Sequence, residues 1–193
     1  MKPIRMIAIG ASAGGVGAIN QLFELLPDSF RIPTVIVQHL PATAALDVNL
    51  VFGRRTKNKV VEAVDKLPVE PGHFYFAPPS YHLLVEADGT FALSQDELVN
   101  FSRPSIDVFF ESAAVAYGDG LVGVILTGAN DDGAEGMRAV QRHGGLTVVQ
   151  DPKSAEVGTM PQETLKRIHP DHVLNLRDIA KLMGNFNEGG PRG

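Results

Sequence analysis

Four short apolar runs, rich in β-branched residues, constrain the fold of this chain more than any other feature. They cover residues 4–9, 33–38, 122–126 and 146–149. Continuous runs of this kind are typical of strands that are buried on both faces of a sheet. Segments with helical spacing stand between them, over residues 16–26, 105–117 and 133–142. Because strands alternate with helices, the sequence predicts an α/β fold with a doubly wound, mostly parallel sheet flanked by helices.

Residues 67–91 have a different character, with Pro-Gly, Pro-Pro and Asp-Gly pairs between short alternating runs. These runs include residues 74–77 and 83–85. An Asp-Gly pair between two apolar runs, as at Asp88-Gly89, is typical of a β-hairpin. The sequence therefore predicts that a short antiparallel hairpin insertion interrupts the parallel fold.

The length of the chain, 193 residues, fits a single domain with a sizeable core. We assign that domain to residues 1–184, with a last helix over residues 176–183. Residues 185–193 are polar and rich in glycine, so we expect them to form a disordered tail.

Composition excludes several classes of function. The formal net charge is −5 and no cluster of Lys and Arg occurs, which argues against binding to nucleic acid. Cysteine is absent, so disulfides, thiol nucleophiles and cysteine metal sites are excluded. No apolar run approaches the ~18 residues of a membrane span and no signal-peptide pattern opens the chain, which predicts a cytoplasmic protein without direct membrane insertion. No pair of histidines has metal-ligand spacing beside a carboxylate cluster, so we expect no metal.

The first apolar run ends in the sequence GASAGG, residues 10–15, where a strand, a tight turn and a helix are predicted in succession. Its first five residues fit the pattern G-x-S-x-G, which places a serine on a sharp strand-to-helix turn and makes Ser12 a candidate nucleophile. The helix N-terminus behind it suits an oxyanion or a phosphate. The stretch also resembles a dinucleotide-binding loop, although Ser12 replaces the middle glycine of G-x-G-x-x-G. A nucleophile, a phosphate loop and a plain turn all stay open at this point.

Polar side chains follow three of the predicted strands, namely Ser12, His39 and the cluster at residues 130–132. In parallel α/β sheets, ligands bind at the carboxyl ends of the strands, so one pocket can gather all three. Serine, histidine and aspartate form a nucleophile, a base and an orienting acid. Their order along this chain differs from those of the α/β-hydrolases, chymotrypsin and subtilisin, so a serine hydrolase here belongs to another lineage.

Several sequence blocks carry a more specific resemblance. They are GASAGG at 10–15, QHLP at 38–41, RPSID at 103–107, ILTG at 125–128, NDDGAEGM at 130–137 and MP at 160–161. In order and without large gaps, from about residue 4 to about residue 183, they resemble the CheB family of bacterial chemotaxis protein-glutamate methylesterases.

The resemblance implies a serine hydrolase that demethylates glutamate methyl esters on chemoreceptors and releases methanol, in chemotaxis-type signal adaptation. Some members also deamidate receptor glutamines. It implies Ser12 as the nucleophile, His39 as the base and Asp132 as the orienting aspartate. Counting forward from residues 126–128 and back from the following Gly-Ala pair favours Asp132 over its neighbour Asp131. No cofactor is implied.

The resemblance also implies residues around the reaction cleft. It points to the loop at Ala129 for the oxyanion, and Ala13, at the predicted helix N-terminus, is the other physical candidate. Met160 and Arg103 border the cleft in the family, although Arg103 is equally consistent with a solvated residue ahead of a helix. Many relatives carry threonine at the position of Ala13.

The partners that the resemblance implies are methylated cytoplasmic helices of chemoreceptors. The family's usual form begins with a phosphorylatable receiver domain, whereas this chain starts at the first catalytic strand. Met1 favours a free-standing member, and a separate receiver or signalling protein is then a further candidate partner. Two other functions stay open: a catalytically silent CheB-like binding module for a signalling partner, and a nucleotide-dependent enzyme. A nucleotide-dependent enzyme would carry an acidic residue after its second strand to bind the ribose, and Gln38 and His39 stand there instead.

Overall fold

A computed structural model of the chain describes residues 3–39 and 47–188. Its strands are β1 (Met6–Ala11), β2 (Thr34–Gln38), β3 (Lys59–Glu62), β4 (His73–Phe76), β5 (His82–Val85), β6 (Phe91–Ser94), β7 (Leu121–Ile125), β8 (Leu146–Gln150) and β9 (His172–Leu174). Its α-helices are α1 (Gly15–Leu25), α2 (Val48–Phe52), α3 (Ile106–Tyr117), α4 (Ala134–Arg142), α5 (Thr159–Arg167) and α6 (Leu176–Glu188).

Seven of the strands form one parallel sheet in the order β3-β4-β2-β1-β7-β8-β9. The central strand, β1, pairs with β2 on one side and with β7 on the other, so that Ile9 lies opposite Ile36 and Val124. This arrangement confirms the predicted doubly wound, mostly parallel sheet. Every residue of β1, β2 and β7 is buried, as the continuous apolar runs indicate.

Both faces of the sheet are covered, because successive side chains of a strand point to opposite faces. Ile7 and Ile9 of β1 pack in the cluster that contains residues of α1, α2 and α6. Met6 and Ala8 belong to the opposite cluster, with residues of α3, α4 and the β5–β6 hairpin. The core is therefore two apolar layers that fix α1 and α3 on opposite faces of the same strands.

The antiparallel part is smaller than the sequence pattern indicates. It consists of β5 and β6, which pair around the turn at Asp88 and Gly89. The run at residues 74–77, which we grouped with this excursion, instead contributes β4 to the parallel sheet between β3 and β2. Its three aromatic residues, Phe74, Tyr75 and Phe76, are all buried, and burial on both faces favours a place inside the sheet.

The last helix is longer than predicted and covers residues 185–188, which we assigned to the tail. Phe186 packs against the apolar cluster of α1 and α6, which extends the helix past the predicted end at Met183. Residues 189–193 lie outside the described ranges. So do residues 40–46, which include part of the QHLP block. Within the described ranges, no helix combines the length and the apolarity needed to cross a membrane.

The direction of winding changes at β1. From β1 the chain continues to β2 on one side, and after the hairpin it returns to β7 on the other side. The carboxyl ends of β1, β2 and β7 therefore border a crevice of the kind in which open α/β sheets bind ligands.

Candidate active site

Ser12 stands on the turn between β1 and α1, at the carboxyl edge of the sheet. Its N–H donates to the Thr127 carbonyl at 3.0 Å, and its carbonyl accepts from the Gly15 N–H at 2.9 Å. Gly14 has a φ of 77°, a left-handed conformation that glycine adopts without steric cost. These contacts hold Ser12 on a tight turn that is tied to the end of β7.

The side chain of Gln38, the last residue of β2, links the backbones of two candidate catalytic residues, Ser12 and His39. Its amide Nε2 donates to the Ser12 carbonyl at 2.9 Å and to the His39 carbonyl at 2.8 Å. A Cβ at position 15 would collide with the Gln38 Oε1 atom, so Gly15 leaves the room that this side chain occupies. The His39 N–H also donates to the Ala11 carbonyl at 3.0 Å, which continues the β1–β2 pairing into the site.

His39 and Asp132 are in direct contact. The His39 Nε2 atom lies 2.8 Å from Asp132 Oδ2, and the His39 side chain keeps 13% of its surface exposed while Asp132 is fully buried. Asp132 follows β7, so the ends of β2 and β7 bring the two residues together. The predicted histidine and aspartate thus form a hydrogen-bonded pair at the expected edge.

The buried carboxylate of Asp132 sits on the N-terminus of α3. It accepts from the Ile106 N–H at 2.7 Å, the Asp107 N–H at 3.1 Å and the Ser105 hydroxyl at 2.8 Å. The first backbone N–H groups of a helix have no partner within the helix and carry partial positive charge. A buried anion is therefore well accommodated at this position.

These contacts also set the pKa of Asp132. Burial by itself would raise the pKa, but the hydrogen bonds from His39 and from the Ile106 and Asp107 N–H groups lower it below its usual value. The carboxylate is then ionised at neutral pH and can only accept hydrogen bonds. His39 therefore carries its proton on Nε2, and the lone pair of Nδ1 is available as a base.

The side chain of a second buried aspartate, Asp107, contacts the start of α4, whereas that of Asp132 contacts the start of α3. Its Oδ1 accepts from the N–H groups of Gly133, at 2.9 Å, and Gly136, at 2.6 Å, at the start of α4. The amide Nδ2 of Asn100 donates to Asp107 Oδ2 at 2.8 Å and to Asp132 Oδ1 at 3.2 Å. Burial, together with the nearby Asp132 charge, raises the pKa of Asp107 to about 6 despite these hydrogen bonds.

The lone pair of His39 Nδ1 faces Asn130 and not Ser12. Asn130 Nδ2 lies 3.4 Å from His39 Nδ1, longer than an ordinary hydrogen bond. Among the residues that the structure describes, the Ser12 hydroxyl makes no hydrogen bond. Catalytic hydrogen bonds are often long or misaligned before substrate binds, so this geometry fits a resting site.

Ala13 and Ala129, the two predicted oxyanion residues, are both exposed. Ala13 follows Ser12 on the turn, and Ala129 lies on the loop after β7. In the described part of the chain, neither N–H group donates a hydrogen bond. The Gly128 N–H and carbonyl are bonded to Val157 and Met160, so the loop that carries Ala129 is fixed. Both N–H groups therefore lack a hydrogen-bond acceptor in the described part of the chain.

Met160 and Arg103, the two other predicted cleft residues, are engaged elsewhere. Met160 is fully buried, and a Cβ at position 128 would lie 2.6 Å from its Cε, so its side chain packs against Gly128. An uncharged thioether is stable in such an apolar setting. The Arg103 guanidinium donates to the carbonyls of Gln95 and Asp96, and it thereby braces its own loop.

Sequence reasoning missed the residues that hold Asp132 in place, chiefly Asn100, Ser105 and Asp107. Ser105 was open to detection, because a serine ahead of an apolar helical run is typical of a helix N-cap. Asn100 carried no such signal, since it reaches the site through a loop. Within the described ranges, no group of three or more His, Asp or Glu side chains is arranged to hold a metal ion.

Comparison with known proteins matches this architecture to one family. The family model described as CheB methylesterase matches residues 7–183. The crystal structure of the Thermotoga maritima CheB methylesterase catalytic domain superposes with a TM-score of 0.89 at 30% identity, over 94% of this chain and 98% of that one.

Two sequence relatives are similar over different shares of their own length. A Hydrogenovibrio crunogenus protein, named protein-glutamate methylesterase/protein-glutamine glutaminase, is 39% identical over 92% of this chain. This chain spans about half of that relative, 48% of its length. A Leptospira interrogans protein, which bears the same name in provisional form, is 48% identical over 91% of each chain.

Proposed function

This chain belongs to the CheB methylesterase family, and from that premise we propose that it hydrolyses glutamate γ-methyl esters on methylated chemoreceptors and releases methanol. The observation that carries the proposal is the 2.8 Å bond between His39 Nε2 and the buried Asp132 carboxylate. This pair lies at the same sheet edge as Ser12. His39 follows β2, which pairs with β1, the strand that leads into the Ser12 turn.

The proton transfers follow from the tautomer of His39. Ser12 Oγ attacks the ester carbonyl carbon while His39 Nδ1 accepts the hydroxyl proton. The imidazolium that forms is stabilised by the Asp132 carboxylate on Nε2. Since Ser12 Oγ has no hydrogen bond to His39 in the structure, Ser12 Oγ and His39 Nδ1 must come closer together for this transfer.

The oxyanion of the tetrahedral intermediate would bind to the N–H groups of Ala13 and Ala129. Loss of one such donor typically costs ~3 kcal/mol of transition-state stabilisation. When the intermediate collapses, the carbon–methoxy bond breaks and His39 returns its proton to the departing methoxide as methanol. A water molecule then attacks the acyl-enzyme with the same base and releases the glutamate carboxylate. The same attack on a glutamine side chain would release ammonia, which is the glutaminase activity in the relatives' names.

The named relatives are enzymes, which favours the hydrolase over the catalytically silent binding module and over the nucleotide-dependent enzyme. The substrate partner is a methylated chemoreceptor, and the interacting segment is its cytoplasmic helices. A separate receiver or signalling protein is a further partner in this proposal.

The experiment follows methanol release from a methylated cytoplasmic receptor fragment incubated with the purified chain. We expect release by the wild type and a loss of about 10³-fold or more in kcat for Ser12→Ala, since nucleophile and base act as a unit. Ser29→Ala, at an exposed serine after α1, is the matched control and should retain activity. Equal release by Ser12→Ala, or no release by folded wild type, would refute the proposal.

A further inference from the structure

The loop between β6 and α3, residues 95–105, presents an aromatic side chain to solvent beside the candidate active site. Phe101 is 98% exposed, and Leu98 on the same loop is 57% exposed. Two large apolar side chains on one short loop are thus in contact with water, and a partner that covered both would remove their apolar surface from water.

The backbone at Phe101 is held in an unfavourable conformation. Asn100 has a φ of 50° and Phe101 a φ of 60°, and backbone bonds between Val99 and Ser102 close the turn around them. A left-handed conformation is tolerated by asparagine but is a genuine outlier for a bulky residue such as phenylalanine. Such strain persists where the surrounding structure holds it, which is common at ligand-binding positions.

Three side chains hold the loop in place. His82 Nε2 lies 2.9 Å from the Glu97 carbonyl and its Nδ1 accepts from the Ser105 N–H at 3.2 Å, so this buried histidine joins both ends of the loop. Arg103 binds the carbonyls of Gln95 and Asp96. Asn100 fastens the tip to Asp107 and Asp132. A rigid apolar residue loses little entropy when it binds, which suits it as an anchor.

Hydrogen bonds connect the loop to the His39–Asp132 pair. Asn100 contacts Asp132, which contacts His39, and Phe101 is the next residue in the chain after Asn100. Since adjacent Cα atoms are about 3.8 Å apart, the Phe101 backbone lies close to the side chain that contacts Asp132, the partner of His39. A protein substrate that places its glutamate at His39 therefore comes close to this loop.

The charge beside the loop also suits that occupant. The exposed carboxylates of Asp96 and Glu97 precede Leu98. A methyl-esterified glutamate is neutral, whereas the product carries a negative charge. Like charges repel, so an acidic surface favours the ester over the product.

We propose that Phe101, with Leu98, is the docking residue for the receptor segment that carries the methyl ester, through an apolar side chain of that segment next to the esterified glutamate. This inference rests on the proposed function. Phe101 acts in binding the protein substrate and takes no part in the chemistry at Ser12.

The test compares two rates for each variant: kcat/KM for methanol release from the methylated receptor fragment, and the rate at which a fluorophosphonate labels Ser12. We expect Phe101→Ala to lower the ratio of the first to the second by about tenfold, the size typical of an interface anchor. Phe101→Gly should lower the ratio equally while its Tm stays level or rises, because glycine relieves the strained φ. Val115→Ala, at a 73% exposed position of α3, is the matched control and should leave the ratio unchanged.

Each other outcome overturns the proposal in a distinguishable way. An unchanged ratio in an active Phe101→Ala removes Phe101 from substrate docking and leaves the proposed function intact. A parallel loss of both rates would show that Phe101 only maintains the site. A Phe101→Ala variant that changes from dimer to monomer with an unchanged ratio would assign the surface to a second copy of the chain. No methanol release by labelled, folded wild type would refute the proposed function and the docking role together.

Discussion

The carboxylates of Asp107 and Asp132 exchange helix caps. Asp132, which precedes α4, accepts hydrogen bonds from the first N–H groups of α3, and Asp107, in the first turn of α3, accepts from those at the start of α4. Each helix N-terminus thus holds the carboxylate contributed by the other segment. The exchange fixes Asp132 behind His39, so the packing of α3 on α4 is part of the candidate active site.

Because Asp132 takes part in this exchange of caps, we predict that it differs sharply in function from its neighbour in the chain, Asp131. Asp132→Asn replaces one acceptor oxygen with an amide donor, so either His39 Nε2 or the N–H groups of α3 lose their acceptor, and the negative charge that stabilises the imidazolium is lost. We expect kcat to fall by about 10³- to 10⁴-fold, the range for loss of the orienting carboxylate. Asp131 is the matched control, since its side chain is 53% exposed and lies 3.7 Å from Arg167. Asp131→Asn should change kcat by less than about twofold, because exposed ion pairs contribute little. If Asp131→Asn lost most of its kcat while Asp132→Asn stayed active, Asp131 and not Asp132 would be the orienting aspartate.

The raised pKa of Asp107 predicts that the stability of the folded protein depends on pH. Its pKa is raised from 3.8 to about 6 in the folded protein, so between these values the folded state binds more protons than the unfolded state. The free energy of unfolding contributed by this group therefore falls as pH rises from about 4 to 6, by up to about 3 kcal/mol. The lowered pKa of Asp132 acts in the opposite direction, with stability lost as pH falls through that pKa, below the usual aspartate range.

The measurement is urea unfolding of the wild type and Asp107→Asn at several pH values between 4 and 7. The variant should lack the decline that the wild type shows in this window. Glu111→Gln, on an exposed position of α3, is the control and should follow the wild type. Parallel curves for the wild type and Asp107→Asn would contradict the prediction.

The loop of Ala129 depends on the packing of Gly128 against Met160. A Cβ at position 128 would lie 2.6 Å from Met160 Cε and 2.8 Å from its Sδ, so Gly128→Ala must displace either the loop or Met160. We expect kcat to fall by about 10- to 100-fold, because a small displacement of an oxyanion donor is costly.

A double variant tests this packing. Met160→Ala alone should destabilise the fold by about 2–5 kcal/mol, as is usual for a buried methionine. Combined with Gly128→Ala, it provides room for the new methyl group, and kcat should recover above that of Gly128→Ala alone. Additive losses in kcat would show that the two residues do not act through this contact.

Gln38 is expected to act as a positioning residue. Gln38→Leu keeps the size of the side chain but loses the hydrogen bonds to the Ser12 and His39 carbonyls. The expected result is a fall in kcat of about 10- to 100-fold with little change in KM, because the two residues lose their relative position. Gln141→Leu, at an exposed glutamine of α4, should leave both constants unchanged. A change in KM alone would instead assign Gln38 to substrate binding.

The core of the fold and the place of the site could be predicted from local patterns. Continuous β-branched runs indicate strands that are buried on both faces, and the structure has them as β1, β2, β7 and β8. Polar residues that directly follow such strands must meet at one edge, which is where His39 and Asp132 form their bond. The aromatic run at residues 74–76 was assigned to the wrong sheet, because an isolated short run does not specify which strand it pairs with.

Local sequence patterns specify the parallel sheet, the tight turn of Ser12 and the positions of His39 and Asp132 after strands, because these depend on periodicity and on residues close together in the chain. Packing between distant segments places Asp132 on the N-terminus of α3, buries Met160 against Gly128 and leads Arg103 to brace its own loop. The contact between Asn100 and Asp132 spans 32 residues of sequence. Such contacts depend on how loops pack across the sheet edge, and no local pattern encodes that packing.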